Sequence, residues 1–154
     1  YEYFPTKNCQ QLLPIITSLG EWGMQWVRSS LTENDYDVEL LMLYLKRSII
    51  SENLVGKETV IQFNFTDIKE YPHWWIVASK DDVDICISDQ GKEVDVFFTS
   101  TVKTMVDIWV GNTSYKVALR EGSLKVVGDA FLTRNITDWM ANSAFADLPS
   151  AKNI

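Results

Sequence analysis

Apolar residues near the start of the chain recur at spacings of three and four. They predict an amphipathic helix that begins at about Lys7, where Thr6 can cap the first turn, and whose apolar period runs from Leu12 to Val27. Pro14 predicts a kink or a late helix start, because proline removes a backbone N–H donor. One face of the helix is therefore apolar, and its stripe consists of Leu12, Ile15, Ile16, Leu19, Trp22 and Trp26.

The same helical period returns once and then gives way to alternation. It predicts a second helix from Val38 to Ile50, with Asn34 or Asp35 as its cap. After Gly56 the apolar period becomes two, which is typical of half-buried strands. Four such segments follow one another across short polar turns and predict an antiparallel meander: TVIQFNF, HWWIVAS, VDICIS and VDVFFTS.

The last third of the chain predicts further helices and one more strand. Its segments are VKTMVDIWVG (helix), SYKVALREG (helix, ending at Gly122), LKVVGD (strand) and AFLTRNITDWMANSAFA (helix). The tail DLPSAKNI is expected to be loose. The order of elements predicts an α+β fold, in which helices gather on one side of an antiparallel-dominated sheet.

Composition and charge narrow the function classes. Six tryptophans and seven phenylalanines in 154 residues suggest an aromatic-lined cavity or interface, although a well-filled core explains them equally well. Fourteen basic against 21 acidic residues give a formal charge of −7, so this chain alone is a poor candidate for binding nucleic acid. Cys9 and Cys86 lie far apart and form no C-x-x-C pair, which favours a cytoplasmic location.

The chemistry of catalysis and metal binding is poorly represented. His73 is the single histidine and has no nucleophile–base partners near it in the sequence. Zinc, P-loop and dinucleotide motifs are absent, and the acidic cluster from Asp81 to Asp95 lacks calcium-loop spacing, which indicates a solvated hairpin. We therefore expect no catalytic residue, no metal, no cofactor and no enzymatic activity, and we find no apolar run of membrane-spanning length.

Two stretches resemble the sterol-carrier-protein type-two (SCP-like) lipid-transfer family. They are REGSLKVVGDAFL, with its helix–glycine–strand–helix order, and EVDVFFTSTVKTMVDIWVGN, a strand followed by a helix ending near Gly111. The resemblance implies an SCP-like five-stranded sheet and an apolar tunnel for a lipid-like molecule. The large residues expected to face inward are candidates for the tunnel wall, although each is equally suited to an ordinary core: Phe63, Phe65, Trp75, Val77, Phe98, Met105, Trp109, Trp139 and Met140.

A second set of segments resembles HxlR-type winged-helix transcription regulators that carry an SCP-like domain. The segments are Y-x-Y-x-x-T, L-x-P-I-I-x-x-L-G-x-W-G-x-x-W, HWW, VDICISDQGKEVDV, IWVGN and W-M-x-x-S-x-F-A. This resemblance implies that residues 1–32 hold a wing remnant and a dimerisation helix, that residues 33–148 bind the ligand, and that residues 149–154 form a tail. It also implies a homodimer through the apolar stripe, and DNA contact only through a winged-helix domain missing from this sequence.

Two alternatives remain open at this level. The chain is equally compatible with a stand-alone carrier of lipids or apolar small molecules, or with an accessory binding subunit. It is also compatible with a purely structural domain whose interior is filled.

Overall fold

The structure is a computed structural model that describes residues 3–32 and 35–149. The chain divides into two units, one formed by Tyr1–Leu31 with Asp147–Ile154 and the other by Thr32–Ala146. Parts of three predictions lie outside the described residues. These are the first two residues of the wing remnant, Asn34 as a helix cap, and the loose tail from residue 150 onward.

The first unit contains two helices, α1 (Lys7–Gln11) and α2 (Leu13–Ser30). The Thr6 hydroxyl accepts a hydrogen bond from the Cys9 amide at 3.2 Å, so Thr6 is the cap of α1. Pro14 lies in the first turn of α2, where a missing N–H breaks no helical hydrogen bond. The predicted late helix start is confirmed, and Leu12 is the residue at which α1 ends and α2 begins.

The second unit is built on a five-stranded sheet. Its strands are β1 (Glu58–Phe65), β2 (His73–Ser79), β3 (Val83–Cys86), β4 (Val96–Ser100) and β5 (Leu124–Gly128). Their order across the sheet is β3-β2-β1-β4-β5, and every neighbouring pair is antiparallel except β1 and β4, which run parallel. The predicted antiparallel-dominated, five-stranded α+β fold is confirmed.

The predicted meander is wrong at its fourth strand. β4 lies beside β1 instead of β3, and pairs with it in parallel register, Phe98 opposite Phe63. The residues between β3 and β4 allow this crossover, and the pairing buries both phenylalanines, a gain that the short and only half-buried β3 does not offer. Asp95 fixes the start of β4: its carboxylate accepts from the Val60 amide at 2.7 Å and its own amide donates to the Val60 carbonyl at 2.9 Å.

Five helices lie on one face of this sheet. They are α3 (Val38–Ser48), α4 (Val102–Trp109), α5 (Tyr115–Glu121), α6 (Ala130–Arg134) and α7 (Ile136–Trp139), with a 3-10 turn at Ser51–Asn53. Their apolar side chains join those of the sheet in one buried cluster, the core. The predicted end of α5 at Gly122 is confirmed, because Gly122 adopts the left-handed conformation that closes a helix (φ 75°).

Two helix boundaries differ from the prediction. The carboxylate of Asp37 caps α3 by accepting from the Leu40 amide at 2.9 Å. Asp35 is not the cap. It accepts instead from the backbone and hydroxyl of Thr32, and the backbone hydrogen bond in particular lowers the pKa of Asp35.

The closing helix is also shorter than predicted, because Asn135 divides it into α6 and α7. The Asn135 backbone is not helical (φ −116°, ψ 33°), and its amide side chain donates to the Phe131 carbonyl at 2.8 Å. An asparagine side chain that bonds nearby backbone competes with the helical pattern, which explains the break.

Candidate apolar ligand site

Aromatic side chains from two strands and one helix meet in the middle of the core. The rings of Phe63 and Phe98 lie 5.0 Å apart, those of Phe63 and Phe65 lie 6.3 Å apart, and Trp139 meets Phe98 edge to face at 6.0 Å. Strand alternation points Phe63, Phe65 and Phe98 toward the helices, as the register of β1 and β4 requires. Four of the predicted wall residues therefore lie together.

Trp139 is held in this group by its polar atoms as well as by its ring. Its indole N–H donates to the Leu132 carbonyl at 3.0 Å, and its own carbonyl accepts from the Ile50 amide at 2.8 Å. Met140 follows and forms a β-bridge with Ile49. These contacts fasten the end of α7 to the residues that follow α3.

Methionines complete this part of the core. Met105 on α4 and Met140 after α7, both predicted, are fully buried, and so is Met42 on α3, which the sequence pattern did not single out. An unbranched thioether adapts to neighbours of different shape more readily than other apolar side chains. The combination of rigid aromatic rings and adaptable methionines suits a wall that must rearrange.

Two residues of the predicted site, Trp75 and Val77, do not face the helix layer. Trp74, not Trp75, pairs with Phe63 across β1 and β2 and belongs to the core. Trp75 stands opposite Gln62 and Val77 opposite Val60, so both side chains point to the other face of the sheet. In HWWIVAS two apolar residues stand side by side twice, and only the pairing with β1 decides which of each pair faces the helices.

Trp109 lies at the margin of the core. It is half-buried, stacks on Tyr44 with ring centroids 4.5 Å apart, and donates its indole N–H to the Ser48 hydroxyl at 2.9 Å. It therefore packs between α4 and α3. Among the described ring contacts it has none with the Phe63 group, and its role in a ligand wall stays a prediction.

The predicted tunnel stays a prediction, and the structure shows how the residues proposed for its wall are packed. The seven predicted residues on the helix side pack within or against one core cluster. A surface groove with a volume of about 150 Å³, which includes open solvent, is lined by residues from segments 51–59 and 78–80 and by none of the nine predicted residues. An apolar ligand that binds among these packed side chains has to displace some of them.

Tyr115, the first residue of α5, is the unusual polar group of this core. Its side chain is only 4% exposed, and its hydroxyl has no hydrogen-bond partner among the described residues. Burial raises the pKa of this phenol well above its usual range. No pattern in the sequence distinguishes Tyr115 from an ordinary core residue, because the lack of a partner is a property of the folded surroundings.

In the first unit, α2 presents a continuous apolar stripe. The exposed fractions of its six predicted residues lie between 48% and 64% in the single chain: Leu12, Ile15, Ile16, Leu19, Trp22 and Trp26. Large apolar side chains grouped in this way usually mark an interaction surface.

Other chemistry is sparse in the described residues. Residues 3–32 and 35–149 contain no group of three or more His, Cys, Asp or Glu side chains arranged to hold a metal ion. The Nδ1 atom of His73 lies 2.7 Å from the Asn64 side-chain oxygen, so its described polar partner is a neutral amide. Over the same residues, no helix is long and apolar enough to cross a membrane.

The fold and the site define an SCP2-like α+β domain with an aromatic and methionine-rich core. Residues 45–140 match the SCP-2 sterol transfer family, and the chain belongs to that family. No curated protein sequence matches the chain significantly.

Two solved structures with TM-scores above 0.5 share the fold, and a third is similar at a lower score. A variant of the sec-alkyl sulfatase PisA1 is 17% identical with a TM-score of 0.53, over 73% of this chain and 17% of the sulfatase. The stereoselective inverting sec-alkylsulfatase Pisa1 from Pseudomonas sp. is 17% identical with a TM-score of 0.51, over 64% of this chain and 15% of the enzyme. The chain thus spans less than a fifth of either sulfatase. Sterol Carrier Protein 2 Like 2 from Aedes Aegypti is 21% identical with a TM-score of 0.48, over 66% of this chain and 94% of that protein.

Proposed function

We propose that the chain is a non-catalytic module that binds an apolar small molecule or a lipid between the helix layer and the sheet. The observation that carries this proposal is the match of residues 45–140 to the SCP-2 sterol transfer family. The cluster of rings around Phe63 and Phe98, bordered by Met105 and Met140, supports it. Apolar ligand surface that is buried there contributes about 25 cal/mol of favourable free energy per Å².

The magnitude is sufficient for a useful affinity. A ligand that buries roughly 400 Å² of apolar surface gains about 10 kcal/mol. Ordering the ligand and displacing core side chains cost at least about 4 kcal/mol, which leaves at most about 6 kcal/mol and a dissociation constant of tens of micromolar. The helices that must move are short, from four to eleven residues, so their displacement disturbs few hydrogen bonds.

Two substitutions of the same kind test this site. Phe98→Leu changes a ring in the middle of the core, whereas Phe131→Leu changes a ring on α6 that is half exposed. We expect fatty acids and sterols to raise the thermal unfolding temperature of the wild-type protein, since a ligand that binds only the folded state stabilises it. Phe98→Leu should reduce the affinity and Phe131→Leu should leave it unchanged. Absence of any shift with either lipid class contradicts the proposal.

The wider role we propose is that of the dimer-forming and ligand-sensing part of a cytoplasmic transcription regulator. Its support is the resemblance to HxlR-type regulators and the exposed stripe on α2. In this role the stripe pairs with its twin in a second copy, and a winged-helix domain outside this sequence contacts DNA. Ligand binding alters DNA binding only if the ligand favours one dimer arrangement over another.

Introducing a charge on the stripe tests the dimer. Leu19→Glu places a carboxylate in the middle of the exposed stripe of α2, while Leu119→Glu does the same at an exposed apolar position of α5. Native mass spectrometry and sedimentation should show a wild-type dimer, a Leu19→Glu monomer and a Leu119→Glu dimer. A wild-type protein that is monomeric at every concentration refutes the pairing.

The family description favours a second candidate, a stand-alone carrier or accessory binding subunit. The coding sequence upstream of Tyr1 separates the two roles. An in-frame helix-turn-helix of about 80 residues supports the regulator. A start codon immediately before Tyr1 supports the carrier.

A further inference from the structure

We propose that the hydroxyl of Tyr115 is the anchor for the polar head of the ligand, and that this head is a neutral alcohol or carbonyl group. The inference rests on the proposed binding of an apolar ligand in the core and adds the residue and the head-group chemistry. Tyr115 lies in the same buried cluster as Phe63, Phe98 and Trp139.

Tyr115 stands out because the other ring donors of the core are paired. The indole N–H groups of Trp74, Trp109 and Trp139 donate to the Tyr71 carbonyl, the Ser48 hydroxyl and the Leu132 carbonyl, at 2.8, 2.9 and 3.0 Å. Buried polar atoms are generally satisfied in this way, and an exception calls for a reason. A phenylalanine at position 115 would fill the same space without the cost of an unpaired hydroxyl. A ligand group that pairs with the hydroxyl supplies the reason.

The surroundings decide the charge of that group. Among the described residues, the buried polar side chains apart from Tyr115 are Ser48, Thr59 and Ser100, and none of them is charged. A buried carboxylate or ammonium without a counter-charge is strongly disfavoured. A phenol both donates and accepts hydrogen bonds, so it pairs with an alcohol or with a carbonyl oxygen. An anionic head is therefore the poorer ligand.

The position of Tyr115 in the fold offers a way in. α5 packs on β5, which is an edge strand of the sheet, and has few contacts with other elements besides α4. Segments at an edge open at lower free-energy cost than central ones. The buried thioethers of Met42, Met105 and Met140 lie in the same cluster and can rearrange around the apolar body of the ligand.

Three probes of equal chain length test the inference: 1-dodecanol, dodecanoate and dodecane, each measured by displacement of the neutral dye Nile red. The wild-type protein should bind dodecanol more tightly than either of the others. Tyr115→Phe should weaken dodecanol about five- to tenfold, the equivalent of one hydrogen bond, and leave dodecane unchanged. Tyr71→Phe is the matched control, because the Tyr71 side chain is exposed.

Each further result has a definite meaning. Equal binding of dodecanol by the wild type and Tyr115→Phe, or tighter binding of dodecanoate than of dodecanol, overturns the anchor while leaving the apolar site intact. Failure of the wild type to bind any of the three probes removes the proposed function itself. Circular dichroism confirms that each variant is folded, and Tyr115→Leu, which also lacks the hydroxyl, replaces Tyr115→Phe if the latter is not.

Discussion

Removing the hydroxyl of Tyr115 should make the ligand-free protein more stable. Most substitutions in a core destabilise, but this hydroxyl is buried without a partner and its desolvation is uncompensated in the folded state. Tyr115→Phe keeps the ring and deletes only the oxygen and its proton. The substitution therefore removes the desolvation cost of the hydroxyl from the folded state and gives up almost no packing.

The magnitude follows from two opposing terms. Relief of an unpaired buried hydroxyl contributes about 1 to 3 kcal/mol. The small void left by one oxygen costs a few tenths of a kcal/mol, at about 24 cal/mol per Å³. We expect a net gain of about 1 to 2 kcal/mol in the free energy of unfolding, which for a urea slope of about 2 kcal/mol per M moves the midpoint upward by about 0.5 to 1 M.

The assay is urea unfolding of the wild type and of Tyr115→Phe at pH 7, after removal of any copurified lipid by extraction. Tyr71→Phe, which deletes an exposed hydroxyl, should leave the midpoint where it is. A lower midpoint for Tyr115→Phe refutes the reasoning, because it means that the hydroxyl has a stabilising partner in the folded protein.

The same group gives a pH dependence of known sign. Burial raises the pKa of Tyr115 in the folded state above the ordinary value of about 10, which the unfolded chain retains. Below pH 10 the Tyr115 hydroxyl is protonated in both the folded and the unfolded state, so its contribution to the free energy of unfolding does not change with pH. Above pH 10 only the unfolded chain loses the proton, so stability declines with rising pH by about 1.4 kcal/mol per unit from this group. Tyr115→Phe should unfold less steeply than the wild type in alkaline solution, and parallel curves contradict the assignment.

Two further substitutions test the packing of the second unit, both by urea unfolding. Gly128→Ala should destabilise by about 3 kcal/mol or more, because φ is 144° and an added Cβ would lie 2.1 Å from the Asp95 carbonyl oxygen. Gly122→Ala is the matched control, because Gly122 also has a positive φ but an added Cβ would have no atom within 4 Å. This control should cost only about 1 kcal/mol. Equal losses of stability in the two glycine variants would mean that backbone strain, and not the clash with Asp95, determines the cost. Trp139→Phe should cost about 2 to 4 kcal/mol, since it leaves the Leu132 carbonyl unpaired and opens a void beside Phe98; a loss below 1 kcal/mol contradicts this account.

Local signals in the sequence were enough to predict most elements. The helix cap at Thr6, the late start of α2 at Pro14 and the end of α5 at Gly122 each depend on one residue and its neighbours. The five strands follow from alternation for the same reason. These features are determined within a few residues of the chain, so a pattern read along the chain is able to find them.

Features that depend on distant pairing were harder to predict. The face on which Trp75 lies is decided by the register of β2 against β1, and the place of β4 is decided by what Phe98 gains beside Phe63. Tyr115 is the extreme case, since its importance comes from what surrounds its hydroxyl. The sequence predicted which strand side chains face the helices where only one of the two alternating faces was apolar, and did not where both faces were equally apolar, as in β2.

Asp95 joins three strands at one end of the sheet, since its carboxylate and amide bond Val60 of β1 while its carbonyl accepts from the Asp129 amide after β5 at 2.8 Å. The partners are separated from Asp95 by about 35 residues on either side, so each bond depends on the pairing of β4 with the strand on that side. In a hydrogen–deuterium exchange experiment, the amides of Val60 and Asp95 should therefore lose their protection together when β4 separates from β1, and the Asp129 amide should lose its protection when β5 separates from β4. A ligand that enters by lifting α5 alone would leave all three Asp95 bonds in place, because none of them involves that helix.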